Sequence, residues 1–241
     1  GGGDAAIFHV TSLLLHIINA ILVFYFCMML TGKQWVSIAG AILFAIHPAH
    51  VESVAWATER KDVLYGLFFL LSLIQYLRYI RGSGNTYYVL ALVFGLCSFF
   101  SKPAAIPLPL VLILIDYFEG RKLMDKKLIL EKVPFFAMAI IFGLITIGFQ
   151  SDTSVRTFAE LGLGERIIFA SYSYVIYIVK FVFPYPLYAF YPYPNLSEIP
   201  TWYYGMPIVA LAITGAVLWF GRKNKFLWLG LLFFLLVISI S

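Results

Sequence analysis

The residues with the most chemistry in them lie together between positions 47 and 62. They read His47-Pro48-Ala49-His50-Val51-Glu52-Ser53-Val54-Ala55-Trp56-Ala57-Thr58-Glu59-Arg60-Lys61-Asp62. Glu52, Glu59 and Asp62 are carboxylates that could take a proton from an attacking hydroxyl. Arg60 and Lys61 could hold a phosphate, Arg through its planar fork and Lys as a point charge. His47, His50 and Trp56 would line a substrate pocket beside them. Lys102, in Ser101-Lys102-Pro103, is a further cation for the same anion. Its plainer reading is a lysine that snorkels to the membrane surface. The plainer reading of the whole stretch is an interfacial loop whose Glu and Arg/Lys side chains pair with one another. A metal site from His47, His50 and Glu52 has suitable residue types, but the spacing is short and a fourth ligand is missing, so no metal is expected.

The order of residues predicts how these groups are presented. Pro48 starts a helix well. A helix running on from it would set Glu52, Trp56 and Glu59 on one face at i, i+4 and i+7, with His50, Ser53 and Ala57 in a neighbouring stripe. Arg60, Lys61 and Asp62 would then stand at the mouth of the next apolar run. Ionisable groups at membrane depth are costly, which makes a functional reading the default. His9, His16 and Asn19 lie inside the first apolar run, where hydrogen bonding between helices is the expected role. Asp116-Tyr117 ends another run and reads as a topological or pairing element.

Composition sets the scaffold. The chain has 241 residues, 62% hydrophobic and 12% charged, where a soluble domain carries roughly 25% charged residues. Mean hydropathy is +0.91. Phe and Tyr number 23 and 16. A soluble globule of this size could not hide so much apolar surface. Soluble enzymes, disorder, collagen and coiled coil are excluded together. The 17 Lys+Arg against 12 Asp+Glu leave +5. These cations sit in short loops between apolar runs, so they report topology and not a nucleic-acid partner. Cys27 and Cys97 lie inside apolar runs and give no disulfide framework. The start, Gly1-Gly2-Gly3-Asp4, lacks a basic leader region. With no initiator Met and an end inside an apolar run, the chain is expected to be part of something longer.

A bilayer is crossed by a helix of about 20 apolar residues. The runs are Ile7–Leu30, Trp35–Ile46, Val63–Ile80, Tyr87–Phe100, Ala104–Phe118, Val133–Phe149, Ile167–Phe183, Tyr204–Phe220 and Phe226–Ile240. The expectation is an all-α, polytopic helical bundle of eight or nine segments, forming one transmembrane domain over 1–241. Breaks fall at Thr31-Gly32-Lys33, at Gly82-Ser83-Gly84-Asn85 and at Ser101-Lys102-Pro103. Pro107 and Pro109 should kink the start of the fifth run. Pro184-Tyr185-Pro186-Leu187-Tyr188-Ala189-Phe190-Tyr191-Pro192-Tyr193-Pro194 suits the membrane interface.

The positive-inside rule places the loop Glu119–Lys132, with Arg121, Lys122, Lys126, Lys127 and Lys132, in the cytoplasm. Lys33 and Arg78/Arg81 fall on the same side. His47–Asp62, Ser101–Pro103 and Gln150–Glu165 fall outside. Arg222, Lys223 and Lys225 conflict with a simple alternation: either the rule fails there or one segment does not fully span, with a broken or re-entrant element expected around Ile167–Pro194.

The motifs together resemble a known family. His47-Pro48-x-His50-Val51-Glu52-Ser53-Val54-Ala55-Trp56 is followed by Glu59-Arg60-Lys61-Asp62-Val63-Leu64. Ser101-Lys102-Pro103, Leu108-Pro109 and Leu112 to Asp116-Tyr117 come next, with Lys180 and Phe190-Tyr191-Pro192-Tyr193-Pro194 further on. This pattern, from about Phe8 to Pro194, is similar to the transmembrane and tetratricopeptide-repeat-containing family of O-mannosyltransferase-like proteins. The resemblance implies a GT-C glycosyltransferase: a polytopic helical enzyme that moves a sugar, mannose for this family, from a polyprenyl-phosphate donor to a hydroxyl acceptor, a protein Ser or Thr. It implies no metal, and no cofactor beyond the lipid-linked donor. It implies an integral membrane protein of the bacterial inner membrane or the endoplasmic reticulum, active on the outer or lumenal face. The family's catalytic acid lies in a first large outer loop and its repeats bind partners. The chain matches neither, so both are expected elsewhere in a longer protein. Within this chain Glu52, Glu59 and Asp62 are the candidate bases. The alternative is a non-catalytic membrane subunit that acts as a scaffold or docking component of a larger complex.

Overall fold

A computed structural model describes residues 5–150, 162–185, 199–222 and 224–238. Among them the chain is helical throughout, without strands. Helix α1 is Ala5–Thr31, α2 Gln34–Ile46, α3 Val51–Ala55, α4 Arg60–Arg78 and α5 Asn85–Ser101. Helix α6 is Leu108–Phe118, α7 Lys126–Gln150, α8 Leu163–Val182, α9 Met206–Gly221 and α10 Lys225–Ile238. Every apolar run read from the sequence therefore has a helix in it. Among the described residues, four stretches are long and apolar enough to cross a membrane: Ala6–Thr31, Arg60–Ser83, Lys126–Phe149 and Thr201–Gly221. A fifth arises only if Gln34–Ile46 and Pro48–Ala55, bent by 49°, are counted together. Asn85–Ser101, Pro103–Phe118 and Lys225–Ile238 are shorter apolar helices. The chain is an all-α integral membrane protein. Its large exposed residues are the mark of lipid-facing helices: Ile7, Val10, Leu14, Ile17 and Ile21 stand out from one side of α1, where a bilayer and not water must be the solvent.

Contacts divide the chain into two units, one within Gly1–Gly148 and one of Phe149–Ile238. In the first, α4 is the central helix, packed on α5 and α1, with α2 on α1. Leu73, Tyr76, Leu77, Phe99, Leu108, Leu112, Ile115 and Phe135 fill its core. Gly95 explains how close α5 comes. A Cβ there would lie 3.1 Å from Leu108 and 3.4 Å from both Phe135 and Ser72. The turns are those the sequence marked. Gly32, at φ +65°, ends α1 by returning its N–H to the Met28 carbonyl at 2.9 Å, a conformation that glycine adopts without a Cβ clash. Pro103–Ala105 forms a 3-10 turn. Pro107 and Pro109 then fall at the start of α6, where a missing N–H costs nothing. The expected disturbance is thus a break before an eleven-residue helix.

One local expectation is corrected. The helix predicted from Pro48 to Glu59 is not continuous. A 3-10 turn at Pro48–His50 leads into α3, which stops at Ala55. Trp56 is extended at φ −92°, ψ 119°, and a second 3-10 turn follows at Ala57–Glu59 before α4. Glu52, Trp56 and Glu59 therefore do not share one helical face.

The second unit packs α8 on α9 and α9 on α10. Tyr174 bonds Thr214 at 3.1 Å, and its ring lies tilted at 5.9 Å from that of Phe234. Helix α8 runs unbroken over Leu163–Val182, so the expected break does not fall within it. Residues 186–194 of the Pro/Tyr run lie outside the described residues, as do Gly1–Asp4, most of Gln150–Glu165 and Lys223.

Candidate functional site

The polar groups of the first unit gather at two opposite ends. At one end, the connection from α2 to α4 meets the end of α5. The Lys102 ammonium donates to Asp62 Oδ1 at 2.5 Å, and Ser53 donates to Asp62 Oδ2 at 3.4 Å. Asp62 begins α4 and Lys102 follows α5, so antiparallel packing of the two helices makes this contact. Lys61 pairs with Glu59 at 3.2 Å from an exposed position. Screening makes such a surface pair weak, worth about 0–1 kcal/mol. Glu52 is exposed and makes no ion pair among the described residues.

Arg60 is held differently. Its Nη2 donates to Thr11 Oγ1 at 2.6 Å and to the Phe8 carbonyl at 3.2 Å, and its guanidinium lies 4.7 Å over the Phe8 ring. Its Nε is shut off from solvent with no acceptor. Arg60 and Lys61 head a groove of about 480 Å³ between α4 and α5, whose other walls are Leu64, Phe68, Cys97, Phe100 and Ser101. Cations at one end and apolar walls below suit an amphipathic anion: a phosphate at the head and a hydrocarbon along the helices.

His47 and His50 stand beside this end, and α1 supplies a third imidazole. His50 is 5.4 Å from His16 and 6.5 Å from His47 between ring centroids, and 4.4 Å from Phe44. Burial, with the neighbouring His16 and His47 adding to it, lowers the His50 pKa from 6.5 to about 4. No group of three or more potential ligands placed to hold a metal occurs among the described residues. The imidazoles pack against one another and make hydrogen bonds. His47 Nδ1 accepts from the Ala49 N–H at 3.2 Å, and His16 Nε2 meets the Ala45 carbonyl at 3.1 Å. Asn19 donates to the Val63 carbonyl at 2.8 Å. His16 and Asn19 thus make the bonds between helices that their positions predicted; His9 is exposed. Trp56 is exposed as well.

The other end holds a buried charge network. Asp116, fully buried, pairs with Arg121 at 2.7 Å and with Lys132 at 2.5 Å, and accepts from Tyr76 at 2.8 Å. Glu131 pairs with Arg121 at 2.8 Å and accepts from Tyr79 at 2.7 Å. Lys132 also bonds Tyr76. Burial works against the Arg121 charge, but the hydrogen bonds to Glu131 and Asp116 outweigh it and hold its pKa above the ordinary value. Two acids and two bases balance, and the expected pairing role of Asp116 is met. Nearby Arg81 forks onto Glu119 at 2.8 and 3.0 Å and reaches the Met29 carbonyl.

The structure thus brings Asp62 and Lys102 together, sets Arg60 and Lys61 on one groove, and leaves Glu52 and Trp56 exposed. The sequence did not disclose Phe8 and Thr11, which hold Arg60. Their spacing of three on an apolar helix carries no signal until the partner helix is known.

These features define a polytopic helical membrane protein with a cationic-headed, apolar groove at one end. Comparisons with known proteins add a family likeness. The chain is 35% identical over 113 residues to protein O-mannosyl-transferase TMTC4 of Homo sapiens, covering 39% of this chain and 15% of that protein. It is 33% identical over 162 residues to protein O-mannosyl-transferase tmtc2 of Xenopus laevis, covering 61% and 19%. With protein O-mannosyl-transferase Tmtc2 of Drosophila melanogaster the identity is 35% over 127 residues, covering 50% and 14%. The chain is therefore similar to this group of transferases, as its motifs indicated, and spans less than a fifth of the length of these curated relatives. No family model and no solved structure matches it.

Proposed function

We propose that this chain is the membrane part of a glycosyltransferase that moves a sugar from a lipid-phosphate donor to a protein hydroxyl. The observation that carries the reading is the groove, with Arg60 and Lys61 at its head and Leu64, Phe68 and Phe100 along its walls, in a chain similar to protein O-mannosyl-transferases. Mannose on a polyprenyl phosphate is the donor that the family likeness suggests, a Ser or Thr side chain the acceptor, and the outer or lumenal side the reacting face. The proposed phosphate lies against Arg60 and Lys61. The proposed acceptor hydroxyl gives its proton to a carboxylate as its oxygen bonds to the anomeric carbon. The bond from that carbon to the phosphate oxygen breaks, and the lipid phosphate leaves with the electron pair. Cations fixed in place stabilise that leaving charge. Of the three carboxylates, Asp62 is engaged with Lys102 and Ser53, and Glu59 with Lys61. Glu52, which makes no ion pair among the described residues, is the candidate this chain offers for the proton, beside the acid expected elsewhere in the longer protein. Lys102, neutralised by Asp62, orders the joint between α4 and α5 in this reading and does not bind phosphate.

The test is transfer by the full-length protein from polyprenyl-phosphate mannose to an acceptor peptide. Arg60→Ala should lower kcat/KM by about 10²-fold, the scale for losing a fixed charge contact in the transition state. Glu52→Gln should lower kcat with little change in KM. Full transfer by Arg60→Ala would remove the phosphate assignment. A wild-type protein that neither binds the lipid phosphate nor transfers would favour a scaffold subunit.

A further inference from the structure

We infer that Phe8 and Thr11, at the start of α1, are positioning residues that aim Arg60 at the anionic head of the groove's ligand. The inference rests on the proposed lipid-phosphate reading of that groove. Arginine has long, free rotamers, and an arginine at the first residue of a helix would ordinarily sweep through solvent. Here it does not. Thr11 Oγ1 lies 2.8 Å from the Ile7 carbonyl and 3.0 Å from that of Phe8, so its hydrogen is directed to its own helix. That leaves its lone pairs for Arg60 Nη2, 2.6 Å away. The Phe8 carbonyl takes a second contact with the same nitrogen at 3.2 Å, and the Phe8 ring lies under the guanidinium plane. A hydroxyl, a carbonyl and an aromatic face thus fix one edge of a rigid fork.

Among the described residues the groove is walled by α4 and α5, and the hold on its principal cation comes from a different helix, α1. Arg60 Nε is closed to solvent and has no acceptor among the described residues. Thr11 and Phe8 occupy Nη2, and the Nη1 donors of the same fork are the ones left for a phosphate oxygen. Thr11 and Phe8 touch no reacting atom in this scheme. They act through Arg60 by reducing the rotamer freedom it must lose on binding.

The experiment measures binding of undecaprenyl phosphate to the full-length protein in lipid nanodiscs. Thr11→Val keeps the shape of the side chain and removes the acceptor. It should raise Kd about tenfold, the range for one hydrogen bond to a charged group. Thr11→Ser should restore wild-type binding, and Phe8→Leu should weaken it by a smaller factor. Added to Arg60→Ala, Thr11→Val should cost nothing more, because its effect passes through the guanidinium. A change in packing alone would persist in that background. Unaltered Kd in Thr11→Val, or an equal further loss on top of Arg60→Ala, overturns the inference while Arg60→Ala still loses binding. If Arg60→Ala binds as wild type, the reading of the groove falls and the inference falls with it.

Discussion

At the scale of single residues, the polar end of the first unit separates side chains of like type by what surrounds them. Lys102 and Lys61 are both cations near the same helix ends, but one is locked to Asp62 and the other is loosely paired at the surface. Spacing alone could not distinguish them, because Lys102 meets Asp62 across 40 positions of sequence. His50 carries a testable consequence of the same kind. Its pKa is lowered in the fold to about 4 from 6.5, so the folded protein keeps it neutral. Below about pH 6.5 the unfolded chain takes up a proton that the folded chain refuses. The stability His50 contributes is complete above that value and is lost as pH falls towards 4. Thermal unfolding in detergent should show a smaller loss across this window for His50→Gln than for the wild type. Parallel curves for the two proteins would refute the neutral imidazole.

At the scale of elements, the apolar runs and their breaks were legible because composition and turn chemistry are local. Gly32, Gly82, Gly84, Pro103 and Pro107 all stand where the helices end or begin. The stop at Ala55 was not legible. Glu52 to Glu59 has ordinary helix formers, and the chain must still turn from α2 into α4 within that length. The extended Trp56 makes that turn. The groove was hidden for a related reason: its walls come from two helices whose register is set by packing. Gly95 controls that register. Gly95→Val should destabilise by about 1–3 kcal/mol through overpacking against Leu108 and Phe135, and it should weaken lipid-phosphate binding along with the thermal midpoint. Asp116→Asn at the opposite end leaves Lys132 and Arg121 without their shared anion. Breaking a buried pair in this way costs about 3–5 kcal/mol, read as a lower midpoint of unfolding in detergent. A midpoint equal to that of the wild type would mean that water reaches the network.

At the scale of the whole molecule, the abundance of exposed apolar side chains on α1, α7 and α9 requires a lipid solvent. The protein should therefore stay in the membrane pellet after alkaline carbonate extraction and leave it only with detergent. Release at high pH would contradict the integral assignment. The charge network on α6 and α7 also bears on how the chain enters the bilayer. Glu131 and Lys132 lie inside an apolar helix, and their partners Asp116 and Arg121 come from the helix and loop just before it. An unpaired charge inside a membrane-spanning helix is costly. With the partners present the same groups enter as a neutral set. Asp116, Arg121, Glu131 and Lys132 thus tie the end of α6, the loop after it and the start of α7 into one set without net charge.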